Sequence, residues 1–367
     1  NSDKYGRLDP MLAAIEALVR CESPSEDIDA CRNVVRLASD ISTRVLGTPA
    51  QIKEIEGRPV FWWGSDAPEI LILAHLDTVW PHGSYSPLWE VNGDVVRGPG
   101  VFDMKAGFVQ ALFALKDIDG AADRVALIAT TDEEIGSFTS RKLIMDLSAK
   151  AKAVLVLEAS LGGKVKTGRK GTAMYKINVH GLAAHAGLEP EKGVNATVEI
   201  AHIILQLSAL ENTQHGTTVV PTTMTSGSTT NTVPALASVD IDVRSFKANE
   251  LTRISNALTS LGPQNPAAKI TVTGQINRPP LELTSTKSLF ERAKKVNSDL
   301  GRPPLAGVSV GGVSDGNFAA AAGAPTLDGL GAIGGGAHSQ GEWVQADSID
   351  SQITFINALI TDLVERP

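Results

Sequence analysis

Cysteine is almost absent: the 367 residues hold two, Cys21 and Cys31. Both fall on an N-terminal helical stretch, which argues against a disulfide framework and against thiolate metal ligation. Any metal ligand must then come from histidine and carboxylate. Long apolar runs are missing as well. No segment approaches the ~20 residues that span a bilayer, and no signal-type apolar core opens the chain. A soluble protein with no membrane partner is expected, cytoplasmic by preference, with export behind a removed signal left open. There is no lysine–arginine block, and the net charge is −8, so no nucleic-acid partner is expected. Repeats and low-complexity tracts are lacking. Trp62, Trp63, Trp80 and Trp89 are scattered and suggest no ligand role.

What is present suits a two-domain globular protein: 43% hydrophobic and 20% charged residues over a length too great for one ordinary core. Residues 8–21 and 26–46 carry helical apolar spacing, the second closed by Gly47. Apolar runs follow at 69–79 ("EILILAHLDTV"), 124–134 ("RVALIATTDEE") and 151–160 ("AKAVLVLEAS"), with a helix expected over 101–118 and Asp103 as its N-cap. Strands apolar throughout and alternating with helices predict an α/β domain with a mostly parallel sheet and helices on both faces. From about Gly168 the pattern changes. Strands at 172–181, 216–227, 237–246 and 268–276 alternate polar and apolar, with helices at 195–210 and 249–262, which reads as a βαββαβ unit with one wet sheet face. Helices at 286–300 and 345–365 flank a strand and glycine-rich loop (323–339). The expected organisation is a catalytic domain of residues 1–168 and 281–367 with an α+β domain, 169–280, inserted in it.

Each apolar run of the first domain ends in a candidate ligand: His75 and Asp77, Glu133 and Glu134, and Glu158. Asp103 follows "GPGV", and His338 sits in "GGGAHS". Ligands gather beyond the carboxyl ends of strands in open α/β sheets. Any one of these residues alone is more often a satisfied polar side chain. A set of two histidines and at least four carboxylates with no base interleaved, Lys105 being the nearest, calls for one or two divalent cations. Two four-coordinate ions fit if one carboxylate bridges them, and the nitrogen–oxygen donor set favours Zn2+, with Co2+ or Mn2+ as alternatives. Asp77, two residues past His75, points to the same side of a strand and suits an acid that orients the imidazole.

The segments "HLDTV", "GPGVFDMKAG", "TTDEEIGS", "EAS", "AAHAG", "NTVP", "DVR", "GGVSDGN" and "GAHS" occur in that order. Together they resemble the di-zinc family of glutamate carboxypeptidases, acetylornithine deacetylases, succinyl-diaminopimelate desuccinylases and aminoacylases, and are most similar to the glutamate carboxypeptidase branch. The resemblance covers nearly the whole chain. It implies that Asp103 bridges two zinc ions, that His75 and Glu158 complete one and Glu134 and His338 the other, and that Glu133 is the general base. The Asp103–Met104 bond is often cis in such families, and Ala106 stands where many members have glycine. His185 resembles the histidine that reaches into a partner's site and steadies the oxyanion, with Asn231 beside it. The resemblance implies a homodimer whose inserted domain forms the contact and closes over substrate. Arg244 would grip the substrate carboxylate, and backbone groups of 310–317, Gly312 and Ser314 among them, could assist; Lys164, Lys166, Arg169 and Lys170 read as a solvated hinge face. The implied activity is hydrolysis of the amide between an acyl or peptidyl group and a C-terminal amino acid with a free α-carboxylate, the substrate being an N-acyl amino acid or peptide. The alternatives are an N-acyl-amino-acid deacylase, such as an acetylornithine deacetylase or desuccinylase, and a catalytically dead binding homologue.

Overall fold

The computed structural model describes residues 9–366, so Leu8, the expected first helical residue, lies outside them. The chain divides into two compact units. One comprises the chain up to Gly168, Leu281–Val310 and the chain from Ser314 on; the other comprises Arg169–Pro280 with Gly311–Val313.

The first segment of unit one runs α1 (Asp9–Arg20), α2 (Ile28–Leu46), β1 (Gln51–Ile55), β2 (Arg58–Gly64), β3 (Ile70–His75), β4 (Glu90–Asn92), β5 (Val95–Arg97), α3 (Ala106–Leu115), α4 (Ala121–Arg124), β6 (Val125–Thr130), α5 (Arg141–Ser148), β7 (Ala153–Val156) and β8 (Val165–Arg169). Unit two supplies β9 (Gly171–His180), α6 (Ala196–Ser208), β10 (Thr218–Ser226), β11 (Leu236–Ser245), α7 (Ala248–Thr259) and β12 (Lys269–Arg278). The chain then returns with α8 (Leu283–Asp299), β13 (Gly307–Val310), α9 (Asp315–Ala321), β14 (Thr326–Leu327), β15 (Gly334–Gly335), β16 (Trp343–Gln345) and α10 (Ser348–Glu365).

The main sheet of unit one has the order β1-β2-β6-β3-β7-β14. Strands β6, β3, β7 and the edge strand β14 are parallel, while β1 and β2 form an antiparallel hairpin at the other edge. Alternation along β3 explains why its sequence is apolar at every position. Ile70, Ile72 and Ala74 enter a core with α1, α2, α3 and α10. Leu71 and Leu73 enter a second core with Ile144 and Leu147 of α5 and Phe318 and Ala319 of α9. Burying each Ile or Leu stabilises by about 1.5–3 kcal/mol, so β3 tolerates no polar residue until it ends at His75.

Unit two is an all-antiparallel sheet, β10-β11-β9-β12. On β9, Ala173, Tyr175, Ile177 and Val179 share a core with Ile200 and Ile203 of α6 and Leu251 and Ile254 of α7. Met174, Lys176 and His180 face outward, the alternation of a one-sided sheet. Asn195 caps α6 by accepting from the backbone N–H of Thr197 and Val198.

The expected helix over 101–118 is corrected. Regular helix begins at Ala106, and residues 101–105 form an irregular turn entered through Gly100 (φ 69°) with a cis Asp103–Met104 bond. Asp103 makes no capping bond; its carboxylate points elsewhere. Gly107 lets this turn sit tightly on the end of β7, since a Cβ there would lie 2.1 Å from the Leu157 carbonyl oxygen. Among the described residues no helix is long and apolar enough to cross a membrane.

Candidate metal centre

The ends of β3, β6 and β7, the 101–105 turn and the loop between β15 and β16 deliver their polar side chains to one place in unit one. His75 is the last residue of β3. Glu133 and Glu134 lie on a single 3-10 turn after β6, and Glu158 lies two residues beyond β7. His338 adopts a left-handed backbone (φ 59°), which costs a non-glycine residue about 1–2 kcal/mol and is a conformation found at functional sites.

The distances have a simple pattern. Asp103 Oδ1 is 3.2 Å from His75 Nε2, and Asp103 Oδ2 is 3.3 Å from His338 Nε2. His75 Nε2 is also 3.6 Å from Glu158 Oε1, and His338 Nε2 is 3.1 Å from Glu134 Oε2. One carboxylate thus faces two imidazoles, and each imidazole faces a further glutamate. Two donors bound tetrahedrally at about 2.0–2.1 Å from a zinc ion are about 3.3 Å apart, so these separations suit the edges of two coordination tetrahedra. Donor atoms of His75, Asp103 and Glu134 fall within 4.8 Å of one another, as do those of His75, Glu133 and Glu158. The residues present therefore fit a pair of divalent cations.

Behind His75 lies Asp77, fully buried. The Nδ1 of His75 is 3.0 Å from the Asp77 carbonyl oxygen and 3.5 Å from its Oδ1, which has no hydrogen-bond partner. Oδ2 accepts from the Ser25 hydroxyl (2.7 Å) and from the backbone N–H of Glu134 (3.1 Å). Nδ1 meets only acceptors of Asp77, so a neutral His75 with its proton on Nδ1 would present the Nε2 lone pair to a cation held by the carboxylates.

Carboxylates outnumber positive charges in this cage. Burial alone would lower the His75 imidazole, but Asp103 and then Asp77 raise it well above its ordinary value. Burial would raise Asp103, but His338 and His75 outweigh it and hold the carboxyl well below the usual range. Glu134 is pushed up to about 7, first by burial, against the opposing pull of His338. His338 is drawn up to about 10 by Asp103 and then by Glu134. Without metal, protons on the imidazoles stand where cations would.

Three basic residues differ from expectation. Lys105 is buried and donates to the carbonyls of Leu18 and Cys21 rather than facing the acids. Lys166, read as part of a solvated face, is mostly buried with Nζ 3.8 Å from Glu158 Oε2. In unit two, Arg169 is likewise buried and donates to the carbonyls of Gly312 and Val313. Ser314 is also reassigned. Fully buried, it caps α9, its hydroxyl donates to Asp328 (2.5 Å) and its N–H donates to Asn317, so no donor remains for substrate. His185 and Asn231, both exposed in unit two, are neighbours: the Ala186 N–H donates to the Asn231 carbonyl, and His185 bridges to Thr232. Arg244 already forks onto Asp242 through Nε (2.9 Å) and Nη2 (3.2 Å) and reaches the Gly311 carbonyl through Nη1 (3.4 Å). Sequence reasoning missed Ser25, Lys166 and a further buried carboxylate, Glu342, behind Asp103. Glu342 had a signal, an acid set directly before the apolar "WV" of a strand.

Comparison with known proteins agrees with this geometry. The family model described as peptidase family M20/M25/M40 matches residues 71–362. Carboxypeptidase G2 of Pseudomonas sp. (strain RS-16) is 31% identical over 311 residues, covering 82% of this chain and 75% of that protein. A succinyl-diaminopimelate desuccinylase of Stenotrophomonas maltophilia (strain R551-3) is 24% identical over 329 residues, covering 83% and 85%. Among solved structures, the aminopeptidase PepT of Bacillus cereus ATCC 10987 superposes with a TM-score of 0.80 at 20% identity, covering 97% of this chain and 99% of that one. The chain belongs to peptidase family M20/M25/M40 and is a hydrolase of the metallopeptidase kind.

Proposed function

We propose that the protein hydrolyses the amide bond between an acyl or peptidyl group and a C-terminal amino acid with a free α-carboxylate, glutamate-type leaving groups first. The observation that carries the hydrolytic reading is Asp103, set between two imidazoles that each meet a second carboxylate. The 31% identity to a carboxypeptidase G2 supports the substrate class.

His75, Asp103 and Glu158 would hold one ion and His338, Asp103 and Glu134 the other, Zn2+ first and Co2+ or Mn2+ as alternatives. When bound, the ions polarise the scissile carbonyl and acidify water to a pKa of about 7. Glu133 takes the proton of the attacking water and hands it to the leaving nitrogen as the C–N bond breaks. Asp77 keeps the His75 proton on Nδ1. In unit two, the Nδ1 of His185 accepts from the backbone N–H of Gly187 and Leu188 (3.1 Å each), so its proton is on Nε2, an outward donor suited to an oxyanion. Two N–H groups of Arg244 stay uncommitted after its bonds to Asp242 and Gly311, enough for a substrate carboxylate. Asn231 and Gly312 are assigned to the same substrate-binding surface.

A homodimer through unit two is part of this reading. Its edge strand β10 exposes Val220 and Met224, and α6 exposes Val198 and Leu205. An unpaired edge with apolar residues invites a second copy.

The deacylase alternative draws on the desuccinylase relative. A cavity of about 810 Å³ beside Glu134, lined by Glu26, Asp27, Asp29, Arg32 and His82 as well as by Ile28, Val79, Pro81 and Ile135, leaves room for an acyl group larger than acetyl or succinyl. The test is a hydrolysis screen of N-acyl amino acids varied on both sides of the amide, with and without chelator. Turnover of aroyl- or peptidyl-glutamates that chelator abolishes and Zn2+ restores is expected. Activity that survives complete metal removal refutes the reading, and a preference for acetyl or succinyl substrates moves it to the alternative.

A further inference from the structure

Glu342 is a carboxylate with no exposed surface, four residues after His338. Its Oε1 accepts from the backbone N–H of Phe102 (2.9 Å) and of Asp103 (3.0 Å). Its Oε2 accepts from the backbone N–H of Gly100 (3.0 Å) and from the indole Nε1 of Trp80 (3.2 Å). The Glu342 carbonyl accepts from the Tyr85 hydroxyl (3.3 Å), and Tyr85 packs edge-on against Trp80 at 4.9 Å between ring centroids. One residue thus ties together three segments: the 80–85 loop, the turn that carries Asp103 and the loop that carries His338.

The bonding is specific to a carboxylate. Burial raises the Glu342 pKa while the N–H groups of Asp103 and Gly100 pull it down. Its side chain meets these four donors, two on each oxygen. A glutamine offers one acceptor oxygen, so its NH2 would face two N–H groups and lose both bonds. The 101–105 turn keeps the wide backbone bonds from Lys105 to Gly100 (2.9 Å) and from Ala106 to Val101, and Glu342 satisfies the N–H groups of Phe102 and Asp103 that these leave over.

We propose that Glu342 is a positioning residue for the metal pair: it fixes the backbone at Asp103 so that the two carboxylate oxygens meet His75 and His338 together. This rests on the reading of Asp103 as a bridging ligand. Glu342 itself touches neither substrate nor metal. Its shape of action is geometric, through the Phe102 and Asp103 N–H groups.

The test compares Glu342→Gln, Glu342→Asp and His75→Ala with the unaltered protein. Zn2+ dissociation constants are measured in metal buffers well below the melting temperature, and Co2+ absorption spectra report coordination geometry. Glu342→Gln is expected to weaken Zn2+ binding by about 10–100-fold and to change the Co2+ spectrum, with Glu342→Asp between it and the parent. A merely structural role would lower the melting temperature of the metal-free protein and leave affinity and spectrum of the folded protein alone. If Glu342→Gln does not fold, Glu342→Asp decides. Parental Zn2+ affinity and Co2+ spectrum in the folded Glu342 variants, with binding lost in His75→Ala, overturn the inference and leave the metal site standing. Parental binding in His75→Ala overturns the metal site itself.

Discussion

Metal and protons compete for the same cage, and the competition can be counted. In the metal-free protein His338 is drawn up to about 10, so its imidazole is protonated at pH 7, and His75 is raised in the same direction by Asp103 and Asp77. Glu134, near 7, is about half protonated there. Ligation requires all three to be bare, so loading both ions at pH 7 should expel about one and a half protons from His338 and Glu134, and His75 adds to that number in the same direction. The sign follows: protons belong to the empty form, so affinity rises with pH and falls as pH drops. Two protons correspond to about 100-fold in the overall binding constant per pH unit, or about 2.7 kcal/mol. Calorimetry of Zn2+ binding in two buffers of different ionisation enthalpy gives the proton number directly, and metal-buffered titrations at pH 6, 7 and 8 give the slope. Proton release near zero at pH 7, with affinity flat across that range, would refute the reasoning, because protons would then not occupy the empty cage.

Three further outcomes are expected. Glu133→Gln should lower kcat by about 10²–10⁴-fold while metal content, measured by elemental analysis, stays at two ions; loss of an ion instead would make Glu133 a ligand. Asp77→Asn should weaken Zn2+ binding by about 10–100-fold, because the amide no longer secures the Nδ1 proton of His75; equal affinity would remove Asp77 from the site. Glu69 accepts from Arg124 (2.9 and 3.1 Å) and from Lys152 (2.8 Å), and Arg124 first, then Lys152, hold its carboxyl down to about 2. Its contribution is present above the ordinary value of 4.5 and disappears as pH falls towards 2. The urea midpoints of the parent and Glu69→Gln should accordingly differ at pH 6 and converge in acid.

The elements that the sequence discloses are those whose pattern has one cause. β3 and β6 read as unbroken apolar runs because both sheet faces are covered, and β9 and β11 read as alternating because one face is wet. The hairpin of β1 and β2 passed unseen, since its burial differs between the two strands and Pro59 interrupts the second. Asp103 was read as a helix cap because an aspartate before an apolar helical run is the commonest cap signal. Its true conformation depends on Glu342, 239 residues away in sequence, and no local pattern encodes such a partner. Arg169 reads as solvated for the same reason. A basic residue between apolar strands looks solvated until a distant loop supplies its acceptors, as Gly312 and Val313 do for Arg169.

The run Asp132-Glu133-Glu134 shows why adjacent acids need not repel one another out of the fold. Asp132 is turned away: one carboxylate oxygen accepts from the backbone N–H and hydroxyl of Thr139 and from the N–H of Ser140, anchoring the loop before α5. Gly136 (φ 106°) closes the intervening 3-10 turn with its N–H on the Glu133 carbonyl. Ser137 (φ 53°) then donates through its hydroxyl to Asp315 (2.5 Å). The backbone N–H of Glu134 donates to Asp77, so the same peptide that carries a ligand also steadies the acid behind His75. Asp132 is thus neutralised by N–H dipoles, and Glu133 and Glu134 alone are delivered to the cage, where Glu134 reaches His338 and Glu133 faces His75 and Glu158. Replacing either glutamate with a neutral residue would relieve repulsion in the metal-free protein and remove attraction in the loaded one. Selection of two acids there, against the stability of the empty fold, is intelligible only for a site that works with cations bound.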